Sequence, residues 1–214
     1  MNIFVGAHSL NFIPFEYRHR VGNLFSPGGY WNHCLDFSLD NAVYAAWRKK
    51  EEWNATAFLK HLDKVKRTGK DPKWVVCPDV VGDAVETRKK WDEWSGRLKN
   101  DYEWKLAYAV QDGQTVADVP LDADLVFVGG TTDWKHETIE MWCDNFPAHV
   151  GRVNTYRWLW HCHKCGAQSI DGTGWYWANK KEHQDLLDYI AITEGDQMCE
   201  TGALFPMHEY LKIR

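Results

Sequence analysis

Seven residues of this 214-residue chain sit where side chains or bare backbone could do chemistry: Asp40, Asp79, Gln111, Gly129, Gly130, Asn154 and Asp171. Each follows a short apolar run. Asp40-Asn41 comes after Phe37-Ser38-Leu39, and Asp79 after Val75-Val76-Cys77-Pro78. Gln111-Asp112-Gly113 comes after a run ending at Val110, Gly129-Gly130 after Val126-Phe127-Val128, and Asn154 after Gly151-Arg152-Val153. Asp171 opens Asp171-Gly172-Thr173-Gly174. Several carboxylates with an amide and glycine backbone suit glycosyl chemistry. One carboxylate can attack an anomeric carbon and hold the sugar covalently. A second carboxyl group can move the proton of a leaving or entering group. A side-chain amide and close backbone N–H groups can read the edge of a flat heterocycle. That chemistry requires no metal and no cofactor. Asp, Asn and Thr after strands also serve as helix N-caps. That role suits Asp83 and Asp133. It fits Gln111 poorly, and Asp171 poorly, because a Gly-Thr-Gly loop rather than a helix is expected next.

For such residues to meet, the elements before them must converge. The pattern predicts strands at Ile3–Ala7, His33–Leu39, Trp74–Pro78, Leu106–Gln111, Leu125–Val128, His149–Val153 and Ser169–Asp171. It predicts helices at Asn41–Glu52, Ala55–Thr68, Ala84–Lys99, Thr115–Val119, Trp134–Asn145, Thr155–Cys165 and Lys180–Ile192. Alternating strands and helices imply βαβ units with parallel pairing. Nearly continuous apolar strands imply cover on both faces. Seven or eight such units predict an α/β fold, a single (β/α)8-type barrel, complete or reduced. A doubly wound open sheet is the rival. In a barrel the C-terminal strand ends share one mouth, so the seven residues are expected to line it.

The length fits one domain, 1–214, with 179–214 as a helical closure or a contact surface. Hydrophobic residues make up 44% and charged residues 26%, the balance of a globular domain. No apolar run approaches the roughly 20 residues that span a bilayer. The first residues lack the charge and apolar core of a leader. A cytoplasmic protein without a membrane partner is expected. The six cysteines show no secreted-domain spacing and are expected as free thiols. Cys162-His163-Lys164-Cys165 has a zinc spacing, but it ends a helix capped by Gly166 and has no second pair, and Cys143, Cys199 and His208, which could complete a site, are isolated. Buried thiols are the preferred reading.

The net charge is −5, yet residues 48–99 carry 14 Lys/Arg against 9 Asp/Glu, and residues 100–214 carry 9 against 18. A local basic zone can meet phosphates. A solvated helix face is the plainer reading for Lys64, Lys66, Arg67 and Lys70. Arg152 could hold a phosphate or a neighbouring carboxylate. Of the 13 tryptophans most are expected to fill the core. Trp175 and Trp177, just past Asp171, are the candidates for stacking on bases.

The ordered strand-end motifs resemble the queuine and archaeosine tRNA-guanine transglycosylases. They resemble more closely the compact phage and bacterial relatives that insert 7-deazaguanines into DNA. Asp40 in Leu39-Asp40-Asn41-Ala42 is similar to the Asp of the family's Asp-Ser-Gly-Gly-Phe, a general base that contacts the heterocycle. Asp79 in Cys77-Pro78-Asp79 resembles the Asp that reads the purine edge. Val110-Gln111-Asp112-Gly113 resembles Val-Gln-Gly-Gly, whose Gln contacts the base. Phe127-Val128-Gly129-Gly130 resembles the turn whose backbone faces it. The segment Gly166 to Thr173 resembles the one carrying the nucleophilic Asp, a role that falls to Asp171. The likeness covers roughly residues 1–178 and departs in places. Asn-Ala-Val follows Asp40, Asp-Gly follows Gln111, and the family's cysteine zinc module is missing after Asp171.

The resemblance implies a glycosyltransferase that flips guanosine into the mouth. Asp171 would displace guanine, and a free 7-deazaguanine such as preQ0 would then displace Asp171. DNA is the expected polymer, inside the host cell if the chain is phage-encoded. A tRNA substrate, or a non-catalytic purine- or nucleotide-binding relative, is the alternative. A glycoside hydrolase would need two carboxyl groups flanking a sugar-shaped cleft.

Overall fold

A computed structural model describes residues 1–6, 10–29 and 36–199. Eight parallel strands close into a barrel in sequence order: β1 (Asn2–Gly6), β2 (Val21–Phe25), β3 (Phe37–Leu39), β4 (Val75–Val76), β5 (Leu106–Val110), β6 (Leu125–Val128), β7 (Ala148–Val150) and β8 (Ser169–Asp171). β8 pairs with β1, Ile170 opposite Ile3, and this closure excludes the open doubly wound sheet. The fold is a single (β/α)8-type barrel.

Helices follow most strands: α1 (Val43–Lys49) and α2 (Ala55–Lys66) after β3, α3 (Ala84–Tyr102) after β4, α4 (Thr132–Asn145) after β6, α5 (Tyr156–Lys164) after β7, and α6 (Gly174–Trp177) with α7 (Lys180–Cys199) after β8. β1 and β5 are followed instead by 3-10 turns at Phe15–Arg20 and Val116–Asp118. The helices bury residues at spacings of three and four: Phe58, Leu62 and Val65 on α2; Trp91, Trp94 and Leu98 on α3; Leu186, Tyr189 and Ile190 on α7. That spacing makes one apolar stripe per helix, and the stripes pack on the outer faces of the strands in one continuous core. A second cluster fills the barrel interior: Phe4, Leu24, Trp74, Val76, Ala107, Ala109 and Leu125, with Phe127 against them.

β2 was not expected. Val21-Gly22-Asn23-Leu24-Phe25 breaks an apolar run with Gly and Asn and follows a charged segment. Packing explains both residues. A Cβ at Gly22 would lie 2.5 Å from the Asp36 carbonyl oxygen. Asn23 is fully buried, and its Nδ2 donates to the carbonyls of Val5 and Gly6 on the next strand (3.4 and 3.1 Å).

Local geometry decides the smaller expectations. Asp83 is an N-cap, its Oδ1 accepting from Glu86 N at 2.9 Å. Asp133 is not, for Thr131 holds the cap position and Asp133 lies in the first turn of α4. The loop after Asp171 becomes the one-turn α6. Residues 180–199 form the closing helix. Tyr189 packs edge-on against Trp160 at 5.0 Å, and His183 Nε2–H donates to the Trp175 carbonyl at 2.8 Å. Ala7, residues 33–35, Cys34, the Cys199 side chain, His208 and the remainder of 200–214 lie outside the described residues. Cys77, Cys143, Cys162 and Cys165 are free thiols. Among the described residues no helix is long and apolar enough to cross a membrane.

Candidate active site

Side chains alternate along a strand, and in a barrel every second one faces inward. Ser169 and Asp171 therefore share the inner face of β8. His149, opposite Ser169 on β7, faces inward beside them. Ala109 precedes Gln111 on the inner face of β5 in the same way, and Phe127 precedes Gly129 on β6. At the C-terminal end these positions surround a cavity of about 440 Å³. Asp40, Asp79, Gln111, Gly129, Gly130 and Asp171 all line it. Asn154 does not. It is exposed, and its Oδ1 accepts from Gly174 N at 2.8 Å, holding the β8–α6 loop instead.

Asp171 is held through one of its two oxygens. Its Oδ1 lies 3.0 Å from Nε2 of His149, whose Nδ1 lies 2.8 Å from Ser169 Oγ. The His149 ring is fully buried. Phe4, Trp74 and Phe127 surround it, with ring centroids 5.9, 4.5 and 4.9 Å away. Burial pushes the imidazole pKa down, against the pull of Asp171, and keeps the ring neutral. A neutral ring has one N–H. With that hydrogen on Nε2 the ring donates to Asp171, and Nδ1 accepts from the Ser169 hydroxyl. One carboxylate oxygen is thereby fixed, and Oδ2 is free to face the cavity. Gly151 leaves room for this arrangement, since a Cβ there would meet the Phe127 ring at 2.8 Å. Beneath it the buried Lys135 donates to the Gly151 carbonyl, and burial lowers its pKa to about 8.

Asp40 and Asp79 form the other wall. Ser26 Oγ donates to Asp40 Oδ2 at 2.7 Å. Burial raises the Asp40 pKa and the charge of Asp171 adds to it, while Ser26 and the N–H groups of Ala42 and Asn41 oppose the rise. Asn41 Nδ2 donates to Asp79 Oδ1 at 2.8 Å, and Gln111 Nε2 donates to Asp79 Oδ2 at 2.9 Å. Gln111 Oε1 in turn accepts from Gly82 N at 3.0 Å. Burial raises Asp79 from 3.8 to about 6, with the Asp40 charge contributing.

The Asp79 shift has a stability consequence. A carboxyl whose folded pKa lies above its unfolded value stabilises the fold fully below the unfolded pKa, and loses that contribution as pH rises through the folded one. The window here runs from about 4 to about 6. At roughly 1.4 kcal/mol per unit the whole effect is about 3 kcal/mol at most, and less because Asp79 keeps some contact with water. Denaturant unfolding of the wild type beside Asp79→Asn should therefore show the wild type's stability relative to the variant falling between pH 4 and pH 7. A difference that stays flat or grows would contradict this charge assignment.

The departures after Asp40 and after Gln111 have local explanations. Ala42 stands in the left-handed region at φ 62°, where glycine is the easy choice. Asn41 Oδ1 accepts from Val43 N at 2.9 Å, and Trp53 Nε1 donates to the Asn41 carbonyl at 2.8 Å, so the turn is held from both sides. Asp112 accepts from Thr131 N and Thr131 Oγ1, both at 2.7 Å, and so clamps the Gly129-Gly130 turn. Gly130 has φ 68°, and a Cβ there would lie 2.2 Å from Asp112 Oδ1. No side chain fits at that position.

The aromatic groups at the mouth are not those expected. Trp175 is buried in the core at 1% exposure. Trp177 is exposed but does not line the cavity. Tyr44 and Trp47 of α1 line it instead, stacked with centroids 5.7 Å apart. Among the described residues Arg152 pairs with no carboxylate. Its guanidinium lies 4.8 Å from the Tyr44 ring centre and donates to Tyr44 Oη at 3.2 Å and to the Gly130 carbonyl. Lys64, Lys66, Arg67 and Lys70 are exposed around the C-terminal end of α2. That end leads into the start of β4, and so lies away from the mouth.

The fold and the site together define a parallel (β/α)8 barrel with four aspartates, Gln111 and a glycine turn converging on one cavity. No protein-family model matches the chain, and no curated protein matches it.

Proposed function

We propose that this chain is a base-exchange transglycosylase that replaces guanine in DNA with a 7-deazaguanine through a covalent Asp171–glycosyl intermediate. The observation that carries this reading is the placement of Asp171: one oxygen tied to a neutral buried histidine, the other facing a cavity that also holds Asp40, Asp79 and Gln111. Such a carboxylate is oriented for attack and does not have to break its own hydrogen bond to react.

In this mechanism the target nucleotide is extruded into the mouth. Asp79 presents two carboxylate oxygens to adjacent N–H donors on a guanine-like edge, its own orientation held by Asn41 and Gln111. Asp171 Oδ2 bonds to C1′ as the C1′–N9 bond breaks, and Asp40 gives the departing base its proton. The incoming 7-deazaguanine loses its ring N–H proton to Asp40. Its nitrogen then bonds to C1′ and releases Asp171 as the carboxylate. Two displacements retain the anomeric configuration. Burial raises the Asp40 pKa above the usual carboxylate range, the direction that suits a group that both gives and takes a proton.

The test is label exchange. Guanine-containing DNA, with tRNA in parallel, is incubated with the protein and radiolabelled guanine or preQ0. Label in DNA is expected. Label in tRNA alone would overturn the choice of polymer, and label in neither would overturn base exchange.

A further inference from the structure

We propose that the exposed face of α1 beside the cavity is a docking surface for an unpaired DNA strand, with Trp47 as its stacking platform. The inference deepens the proposed base exchange by naming the form of the polymer, and it rests on that reading for DNA as the polymer. Tyr44 and Trp47 stack with an interplanar angle of 26° at the rim of the cavity. Trp47 is 55% exposed and Tyr44 37%. Single exposed aromatics are ordinary, but a stacked pair bordering a cavity marks a binding surface.

Charge complementarity selects the occupant. Arg48, Lys49 and Lys50 follow Trp47 directly and are exposed, and the Arg152 guanidinium lies 4.8 Å from the Tyr44 ring centre. Glu51 and Glu52 come only after the chain has turned at Lys50, whose φ is 58°. An aromatic face flanked by cations is the recurrent arrangement for a strand whose bases stack and whose phosphates are neutralised. A duplex offers only base edges in its grooves, so a ring face needs an unpaired base. With 5.7 Å between centroids no base fits between the two rings. The base stacks on the outer face of Trp47, next to the nucleotide held in the cavity.

Arg152 ties this surface to the glycine turn of the cavity. Arg152 keeps a left-handed backbone, φ 62°, while its side chain reaches both Tyr44 and Gly130. Non-glycine residues in that region cluster at sites where the surroundings enforce them.

The experiment is fluorescence anisotropy with a short labelled guanine-containing oligonucleotide, single-stranded and duplex, against the full chain. Trp47→Ala, Trp47→Phe and the double variant Arg48→Ala/Lys49→Ala are compared with the wild type. Trp47→Ala should weaken single-strand binding about 10-fold, and Trp47→Phe should restore part of the loss. The double variant should flatten the dependence of affinity on salt. Unchanged single-strand affinity in Trp47→Ala overturns the proposal, as does duplex binding equal to single-strand binding. So does a wild type that binds no strand, or a Trp47→Ala whose only change is lost self-association in sedimentation. Label exchange run beside it separates the two claims. Strand binding that depends on Trp47 without label incorporation leaves the docking surface standing and removes base exchange. Incorporation with an indifferent Trp47 does the reverse.

Discussion

Asp171→Asn is expected to lower the rate of base exchange by at least about 10³-fold with little change in fold. The amide has almost the shape of the carboxylate, and its oxygen can still accept from His149 Nε2–H, which lies 3.0 Å from Oδ1 in the wild type. What it loses is the free anionic oxygen that would bond to C1′. Thermal unfolding should place the variant close to the wild type, while label incorporation falls to background. Asp171→Ala is a poorer test, because it strands a buried imidazole N–H as well. A variant that folds normally and exchanges at the wild-type rate would remove Asp171 from the chemistry.

His149→Phe is expected to have the second largest effect, about 10- to 100-fold in kcat, with KM for the base changed little. Phe keeps the volume and the aromatic contacts with Phe4, Trp74 and Phe127. It deletes the hydrogen bonds to Asp171 and Ser169. A hydrogen bond to a charged group contributes about 1.5–3 kcal/mol, and here it is spent on orientation. His149→Gln, with an amide N–H able to reach the same oxygen, should recover part of the rate. The split between kcat and KM, together with this rescue, separates a positioning role from mere packing. Equal losses in Phe and Gln variants would point to packing alone.

Much of the barrel was legible because both of its signals are local. Strands such as Leu106–Val110 and Leu125–Val128 read as buried apolar runs, and α2, α3 and α7 carry three- and four-residue apolar spacing. β2 was hidden because Gly22 and Asn23 answer to neighbours far along the chain, the Asp36 carbonyl and β1. The mouth was legible for the same reason as the strands: Asp40, Asp79, Gln111 and Gly129 are strand-end residues, and a closed parallel barrel gathers strand ends. Asn154 reads as a strand-end residue in the sequence, but β7 ends at Val150, the backbone turns at Arg152 with φ 62°, and the Asn154 side chain holds Gly174.

His149 was hidden differently. Its strand was expected, but its bond to Asp171 depends on which strands are neighbours and in which register, and one-dimensional patterning holds neither. Tyr44 and Trp47, three apart on one helix, carried a usable signal. Proximity to Asp171 in sequence pointed instead to Trp175, whose side chain turns into the core.

The most direct measurement is the intact mass of the protein after quenching with excess guanine-containing DNA oligonucleotide, with no incoming base added. The account predicts a denaturation-stable protein–oligonucleotide adduct that maps to the peptide bearing Asp171, disappears when preQ0 is added, and is absent from Asp171→Asn. Label exchange that proceeds with no adduct, or with an adduct on another residue, would contradict it.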